Sequence, residues 1–180
     1  GHAAEAGAMA AMVAKHGVIG AEGMFEGPRG FGYAMSRDVD WDSAVADLES
    51  DYTITRMTQK NHTCCGHTFA AIDSMIALAS EHQLSAENVA SIHIGTYAKG
   101  VEICGNRNPQ TVYEAKFSLP YAVAAGLVLG RARFAAFSEE KLNDPDIRSV
   151  MSRIEFETDP DAEAKFPNFR SATVTVETMD

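Results

Sequence analysis

The sequence lacks an excess of positive charge, long apolar runs and a large set of cysteines. Its 180 residues carry 15 Lys and Arg against 25 Asp and Glu, a formal net charge of -10. A surface that follows nucleic-acid phosphates or an anionic membrane needs clustered Lys and Arg, so the charge argues against both partners. No apolar run approaches the roughly 20 residues that span a bilayer, and no signal-peptide pattern opens the chain, so a cytoplasmic location is expected.

Cysteine is scarce as well. The three cysteines are Cys64, Cys65 and Cys104, and two of them are adjacent. This spacing fits neither a disulfide framework nor a CxxC redox motif, so it indicates reduced thiols. An acidic chain without a basic surface must hold any anionic ligand at a local positive site, and such a site requires clustered Lys, Arg or His.

Residues 1–50 are predicted to be helical. The segment HAAEAGAMAAMVAKHG places Met9, Met12 and Val13 at helical spacing, and Gly17 is a natural stop. Two shorter helical stretches, AEGMFEG and DWDSAVADLES, are separated by the turn GPRGFGY, whose GxxGxG is not a nucleotide loop because no strand precedes it. The first helix opens without a cap behind a lone glycine, so we expect the chain to be a fragment of a longer protein.

Beyond residue 50 the pattern predicts strands alternating with helices. Alternating, β-branched stretches predict four strands, at residues 52–59, 91–97, 154–158 and 171–179. Apolar residues at helical spacing predict helices at residues 64–82 and 111–129 and shorter helices within residues 138–153. The fold class predicted is α+β, a sandwich with helices on one face of a mixed or antiparallel four-stranded sheet. Pro120 lies inside the second of these helices, which indicates a kink or a helix that starts near Ser118.

The densest set of reactive side chains lies in the segment KNHTCCGHTFAAID. Within eight positions it contains Lys60, His62, Cys64, Cys65 and His67, where a predicted strand meets a predicted helix. The N–H groups at a helix start attract carboxylates and lower the pKa of a nearby thiol. The segment therefore predicts a site that binds the carboxylate of a small acid, with a thiol or an imidazole close enough to move a proton.

Two other interpretations of this segment stay open. Each residue alone has a structural explanation, because a buried cysteine is often only a small apolar residue and a histidine near a helix start is often a cap or a surface group. Thr63 is predicted to cap the helix that follows. The histidines and cysteines are also zinc ligand types, but adjacent cysteines rarely both reach one tetrahedral metal, so no metal site is expected.

A second loop, within ICGNRNPQTVYEAKFSLPY, joins a predicted strand to the apolar helix. It is expected to place Cys104, Asn106 and Arg107 on a rim. There Arg107 binds a carboxylate in a bidentate fork or is simply solvated. Lys116 is ambiguous, because it lies within the predicted helix and can pair with Glu114 or a neighbouring carboxylate.

KNHTCCGHTFAAID and PQTVYEAKFSLPYAVAAGLVL resemble the two carboxy-terminal signatures of the MmgE/PrpD family, and HAAEAGAMAAMVAKHG with FEGPRGF resembles the stretch before them. The resemblance implies a cofactor-independent lyase or isomerase of the 2-methylcitrate dehydratase and cis-aconitate decarboxylase type, acting on small di- or tricarboxylic acids. It also implies a homodimer in which a large helical domain and a smaller α+β lid share the active site. Residues 1–50 would be the tail of that helical domain and 51–180 the lid.

The resemblance assigns roles to individual residues. Lys60 matches the lid lysine that contacts substrate carboxylate, whereas Cys65 stands where the decarboxylases have a catalytic histidine, for which His67 is close enough to substitute. Cys104 stands near their substrate-facing tyrosine, so both departures argue against decarboxylation of cis-aconitate. The predicted catalytic set is Lys60, Cys65 and His67, and the predicted substrate-binding set is Lys60, His62, Cys104 and Arg107, with no metal and no cofactor.

The same resemblance implies that this chain carries only part of the catalytic apparatus. The family also uses a lysine and histidines of the helical domain, which would precede Gly1, so the missing amino-terminal domain is an expected partner. Two alternatives from other functional classes remain. One is a non-catalytic module for carboxylate binding or assembly, in which the Met9, Met12 and Val13 face of the first helix packs on another chain, and the other is a zinc-binding domain.

Overall fold

The computed structural model describes residues 1–179, with the side chain of Thr53 also outside the description. The chain divides into two compact units, Gly1–Thr58 and Gln59–Asp180. The predicted boundary at residue 50, between the tail of a helical domain and a lid, stays a prediction.

The first unit consists of short helices. In chain order they are α1 (His2–Lys15), α2 (Phe31–Met35), α3 (Trp41–Val45) and a 3-10 helix (Thr53–Arg56). Helix α1 has the predicted extent, with Gly17 beyond it at a φ of 89°. Asp40 caps helix α3, and its side chain accepts a hydrogen bond from the Ser43 N–H. Among the residues of this unit whose burial is described, only Gly30 and Gly32 are buried.

The predicted helix AEGMFEG is wrong, because this segment forms turns. A Cβ atom on Gly30 would lie 2.6 Å from the Met24 carbonyl oxygen and 2.8 Å from that of Phe25, so the chain folds back on itself too closely for a side chain. The predicted turn therefore covers only the start of GPRGFGY, and α2 begins at Phe31.

The second unit alternates helices with three strands. Its longer elements are α4 (Phe69–His82), β1 (Val89–Thr96), α5 (Ala98–Cys104), α7 (Leu119–Leu129), α9 (Pro145–Met151), β2 (Ile154–Thr158) and β3 (Ala172–Thr178). Its shorter helices are α6 (Val112–Ala115), α8 (Glu139–Leu142) and α10 (Pro160–Lys165), with 3-10 turns at Gly66–Thr68 and Phe134–Ala136.

The sheet is mixed and has β1 at its centre. Strand β1 runs parallel to β2 and antiparallel to β3. Ile92 lies opposite Ile154 on one side and Val176 on the other, so one face of the sheet presents a row of aliphatic side chains. The α+β class and the mixed sheet are thus confirmed.

The predicted four strands are wrong in number, since the described residues form three. Residues 52–59 do not pair with the sheet, and part of the segment is a 3-10 helix. Tyr52, Ile54 and Met57 are 62%, 75% and 68% exposed. Alternation favours a strand only where a neighbouring strand pairs with it and one face is covered, and this segment has neither.

The core of the second unit lies between the sheet and helices α4, α7 and α9. Helix α7 packs on both α4 and α9, and α4 packs on β3. Helix α7 is buried from Leu119 to Leu127, as its apolar sequence requires. The Ser118 side chain accepts a hydrogen bond from the Tyr121 N–H, so Pro120 falls in the first turn, where its missing N–H does no harm. The helix therefore starts where Ser118 indicated.

None of the helices in residues 1–179 has both the length and the apolar character that crossing a membrane requires.

Candidate functional site

An open pocket of about 460 Å³ lies beside the segment that carries the reactive side chains. Its lining residues are Lys60, His62, Thr63, Cys64, Cys65, Lys116 and Phe117. Two distant parts of the chain meet here, because the Cys65 N–H donates to the Lys116 carbonyl at 2.8 Å. The pocket thus joins the start of the second unit to the loop before helix α7.

Thr68, and not Thr63, organises the turn into helix α4. The Thr68 hydroxyl donates to the Cys65 carbonyl at 2.8 Å and lies 3.3 Å from the Cys64 sulfur. The Thr63 N–H instead donates to the Ala132 carbonyl at 3.1 Å. The predicted Thr63 cap is therefore wrong, because a 3-10 turn at Gly66–Thr68 precedes the α-helix and moves its start beyond the reach of Thr63.

Two lysines bring positive charge to the pocket. Lys60 is exposed, and its ammonium donates to the Cys64 carbonyl at 3.4 Å. Lys116 is half-buried. Within residues 1–179, neither ammonium forms an ion pair. Glu114, the expected partner of Lys116, instead accepts a hydrogen bond from the Gln110 N–H at 2.6 Å.

His62 is buried at the pocket, with 3% of its surface exposed. Its Nε2 lies 2.8 Å from an Asp73 carboxylate oxygen, and its ring meets Phe69 edge-on at 5.1 Å. A carboxylate accepts hydrogen bonds, so Nε2 carries a proton and donates it to Asp73. The Nδ1 atom is buried without a hydrogen-bond partner in the described structure, which leaves a polar atom for a ligand or a water.

His67 faces a different environment and does not line the pocket. Its Nδ1 lies 2.6 Å from the Tyr97 hydroxyl, and Tyr97 stacks on Phe166 at 4.6 Å. Burial raises the pKa of Tyr97 to about 12. Burial lowers the pKa of His67, and the positive charges of Arg170 and Lys99 lower it further.

Both groups of this pair are therefore neutral near pH 7. A buried hydroxyl needs an acceptor for its proton, so Tyr97 donates to Nδ1 and the proton of the neutral imidazole lies on Nε2. In this tautomer His67 offers an N–H donor and no basic lone pair.

The three thiols lie close together, but only two line the pocket. Burial raises the pKa of Cys64 to about 11. Burial also raises the pKa of Cys104, which is fully buried on α5, and the Cys65 thiol raises it further. For Cys64, burial thus outweighs the lowering expected near a helix start. Cys65 is half-buried and lines the pocket.

Arg107 lies away from the pocket and is already paired. Its guanidinium donates to a Glu155 carboxylate oxygen at 2.8 Å and to the Ile154 carbonyl at 3.1 Å. It also lies over the Phe156 ring, 4.2 Å from the ring centroid. Arg107 therefore fastens the loop after α5 to strand β2.

The pocket thus collects part of the predicted set. Lys60, His62 and Cys65 line it, whereas His67, Cys104 and Arg107 do not. Among the residues that the structure describes, no three His, Cys, Asp or Glu side chains are grouped to hold a metal ion.

Sequence reasoning missed the partners of two predicted residues and left Lys116 ambiguous. Asp73, which orients His62, stands in the quoted segment but lies eleven positions from its partner, and no local pattern joins the two. Tyr97, the partner of His67, ends a predicted strand, a position that typically indicates only packing. Lys116 stayed ambiguous because its distance in sequence from Lys60 hides their shared pocket.

A comparison with protein families matches residues 62–180 to a family model described as the MmgE/PrpD C-terminal domain. The match covers most of the second unit, including all of the pocket lining except Lys60. No curated protein matches the chain.

Proposed function

The chain belongs to the MmgE/PrpD family, and we propose that it is the carboxy-terminal part of a cofactor-independent lyase or isomerase. The family includes lyases of the dehydratase type. The proposed substrate is a small di- or tricarboxylic acid resembling 2-methylcitrate, and the proposed reaction begins with removal of a proton next to a carboxylate.

The observation that supports this proposal is the pocket of Lys60, His62, Cys65 and Lys116 in a chain of net charge -10. An acidic protein repels small anions over most of its surface, so a carboxylate binds where ammonium groups lack an internal partner. Thiol and imidazole groups stand beside those ammonium groups, and such groups move protons in acid–base catalysis.

Lys60 and Cys65 are proposed to have different roles: Lys60 stabilises negative charge, and Cys65 transfers the proton. When the C–H bond beside the carboxylate breaks, its electron pair moves into the carboxylate, and the Lys60 ammonium stabilises the charge that develops there. The proton passes to the deprotonated sulfur of Cys65. The electron pair then returns to form a carbon–carbon double bond as the hydroxyl leaves the neighbouring carbon, and the Cys65 thiol gives its proton to this hydroxyl, which departs as water. We assign this transfer to Cys65 in preference to His67, because His67 lies outside the pocket and presents an N–H.

A second candidate is a module that binds a carboxylic acid without turnover. It is favoured by the fact that Cys65 alone among the predicted proton-transfer residues lines the pocket. On the family resemblance we also propose a cytoplasmic homodimer, with residues 1–50 as the tail of a helical domain, residues 51–180 as a lid, and the remaining catalytic groups supplied by that helical domain.

The test is proton NMR in D2O of the EDTA-treated chain together with the helical domain that the proposal requires, with citrate, 2-methylcitrate, cis-aconitate and an aspartate-like dicarboxylate. One acid should exchange its carbon-bound proton or form a new product. Lys60→Gln should slow that reaction about 10²-fold or more, because a group aimed at developing charge contributes that much. Its circular dichroism spectrum should be unchanged, since Lys60 is exposed.

Lys15→Gln is the matched control, since it removes one exposed lysine from helix α1. Equal rates for Lys60→Gln and the wild type would remove Lys60 from the mechanism. Line broadening of an acid without exchange or product would support the binding module instead. No change with any of the four acids would contradict both candidates.

A further inference from the structure

Two of the residues that line the pocket are lysines. They are Lys60 and Lys116, and no described carboxylate is ion-paired with either. Two ammonium groups that share one cavity repel each other, and a doubly charged anion between them removes that repulsion. A monoanion neutralises only one of the two charges.

The main chain holds Lys116 at the pocket wall. Its carbonyl accepts the Cys65 N–H at 2.8 Å, and its own N–H donates to the carbonyls of Val112 and Tyr113 at 3.3 and 3.2 Å. None of these contacts involves the ammonium group. The side chain can therefore be exchanged without loss of the bonds that shape the pocket.

A third group at this pocket points to a polar ligand. Buried His62 has no hydrogen-bond partner at Nδ1, although a buried polar atom is nearly always paired. Asp73 binds the opposite nitrogen and so leaves Nδ1 available to a ligand. A ligand hydroxyl beside the carboxylates can donate or accept a hydrogen bond, so it would pair with this nitrogen.

We propose that Lys116 binds a second substrate carboxylate while Lys60 binds the first, so that Lys116 makes the pocket selective for dicarboxylates. This proposal rests on the proposed function, because it assigns a residue to substrate choice at the same site. It gives a binding role to Lys116, for which the sequence offered only a pairing with Glu114 or a neighbouring carboxylate.

The test compares succinate with butyrate, which have the same number of carbons and differ by one carboxylate. Each is titrated into the 15N-labelled chain at low ionic strength, because salt screens such contacts. The wild type should bind succinate about tenfold or more tightly than butyrate, as expected for one additional charge-assisted contact. Lys116→Gln should reduce succinate affinity to the butyrate value and leave butyrate affinity unchanged.

Two further variants control for charge. Lys116→Arg keeps the positive charge and should keep most of the preference for succinate. Lys165→Gln removes one exposed lysine of helix α10 that does not line the pocket, and it should change neither affinity.

Three other outcomes would contradict the assignment of Lys116 to a second carboxylate. An undiminished preference for succinate in Lys116→Gln, an equal loss of both ligands, or failure of the wild type to bind succinate would each exclude this role. The result is separable from the catalytic proposal. A preference for succinate that depends on Lys116 together with no proton exchange would leave the inference standing and would contradict the lyase or isomerase.

Discussion

Two helices of equal length show how differently the two units are built. Helices α1 and α4 each have 14 residues, and both are rich in alanine and carry methionine. No residue of α1 is buried, whereas Ala71, Ile72 and Met75 of α4 are buried beneath the rest of the second unit. Similar local sequences therefore give similar helices, but only one of them is part of a core, and packing supplies most helix stability in proteins.

Hydrogen exchange should show the largest difference between these helices. Main-chain amides in the middle of α4 and α7 should exchange about 10³-fold or more slowly than those of α1, because they open only with the core. Two-dimensional NMR after transfer to D2O measures both sets in one sample. Protection of α1 equal to that of α4 would contradict the comparison.

Removal of a large side chain from each helix sharpens the comparison. Ile72→Ala should lower the free energy of unfolding by about 2–5 kcal/mol, because it leaves a cavity where Ile72 is fully buried. Met12→Ala should change it by less than about 0.5 kcal/mol, because Met12 is 61% exposed. Urea titrations followed by circular dichroism measure both variants, and equal losses would show that α1 contributes to the cooperative core.

Two aspartate caps provide a smaller test of the same kind. The Asp144 side chain accepts hydrogen bonds from the N–H groups of Asp146 and Ile147 at the start of α9, as Asp40 does from Ser43 at the start of α3. Asp144→Ala should lower the free energy of unfolding of the second unit by about 1 kcal/mol. Asp40→Ala should leave the urea midpoint unchanged, because α3 has no buried residues.

The Asp144 cap also predicts a pH dependence. A hydrogen bond from the Lys141 ammonium, aided by main-chain N–H groups, holds the pKa of Asp144 below its ordinary value. The unfolded chain therefore takes up this proton more readily, so the stabilisation is present above about pH 4 and disappears as the pH falls through the lower, folded-state pKa. Asp144→Asn should flatten the loss of stability in that acid range, and an unchanged slope would argue against the cap.

Much of the fold could be predicted because its signals are local. The Ser118–Pro120 pair marks a helix start whatever surrounds it, since capping and a missing N–H act within one turn. The strands at Ile92 and Val176 were also predicted, because alternation along each one matches the covered face of the sheet. Residues 52–59 carry the same alternation, and that prediction failed because no sequence pattern reveals whether a partner strand is present.

The candidate site could be predicted only as a segment. The clustering of Lys60, His62 and Cys65 drew attention to the correct loop. It could not reveal that His67, two residues beyond Cys65, turns away to bond Tyr97, because a 3-10 turn intervenes. It also could not reveal that Lys116 joins the pocket.

The sequence by itself determined the α+β class, the positions of most helices, the family resemblance and the segment that holds the reactive side chains. These follow from periodicity, capping and residue type, which act over a few positions along the chain. Only the tertiary structure decided which side chains share a pocket, which thiols are buried and which histidine has an unpaired ring nitrogen. Those properties depend on contacts between residues far apart in sequence, such as the bond that joins Cys65 to Lys116, and on the water that these contacts exclude.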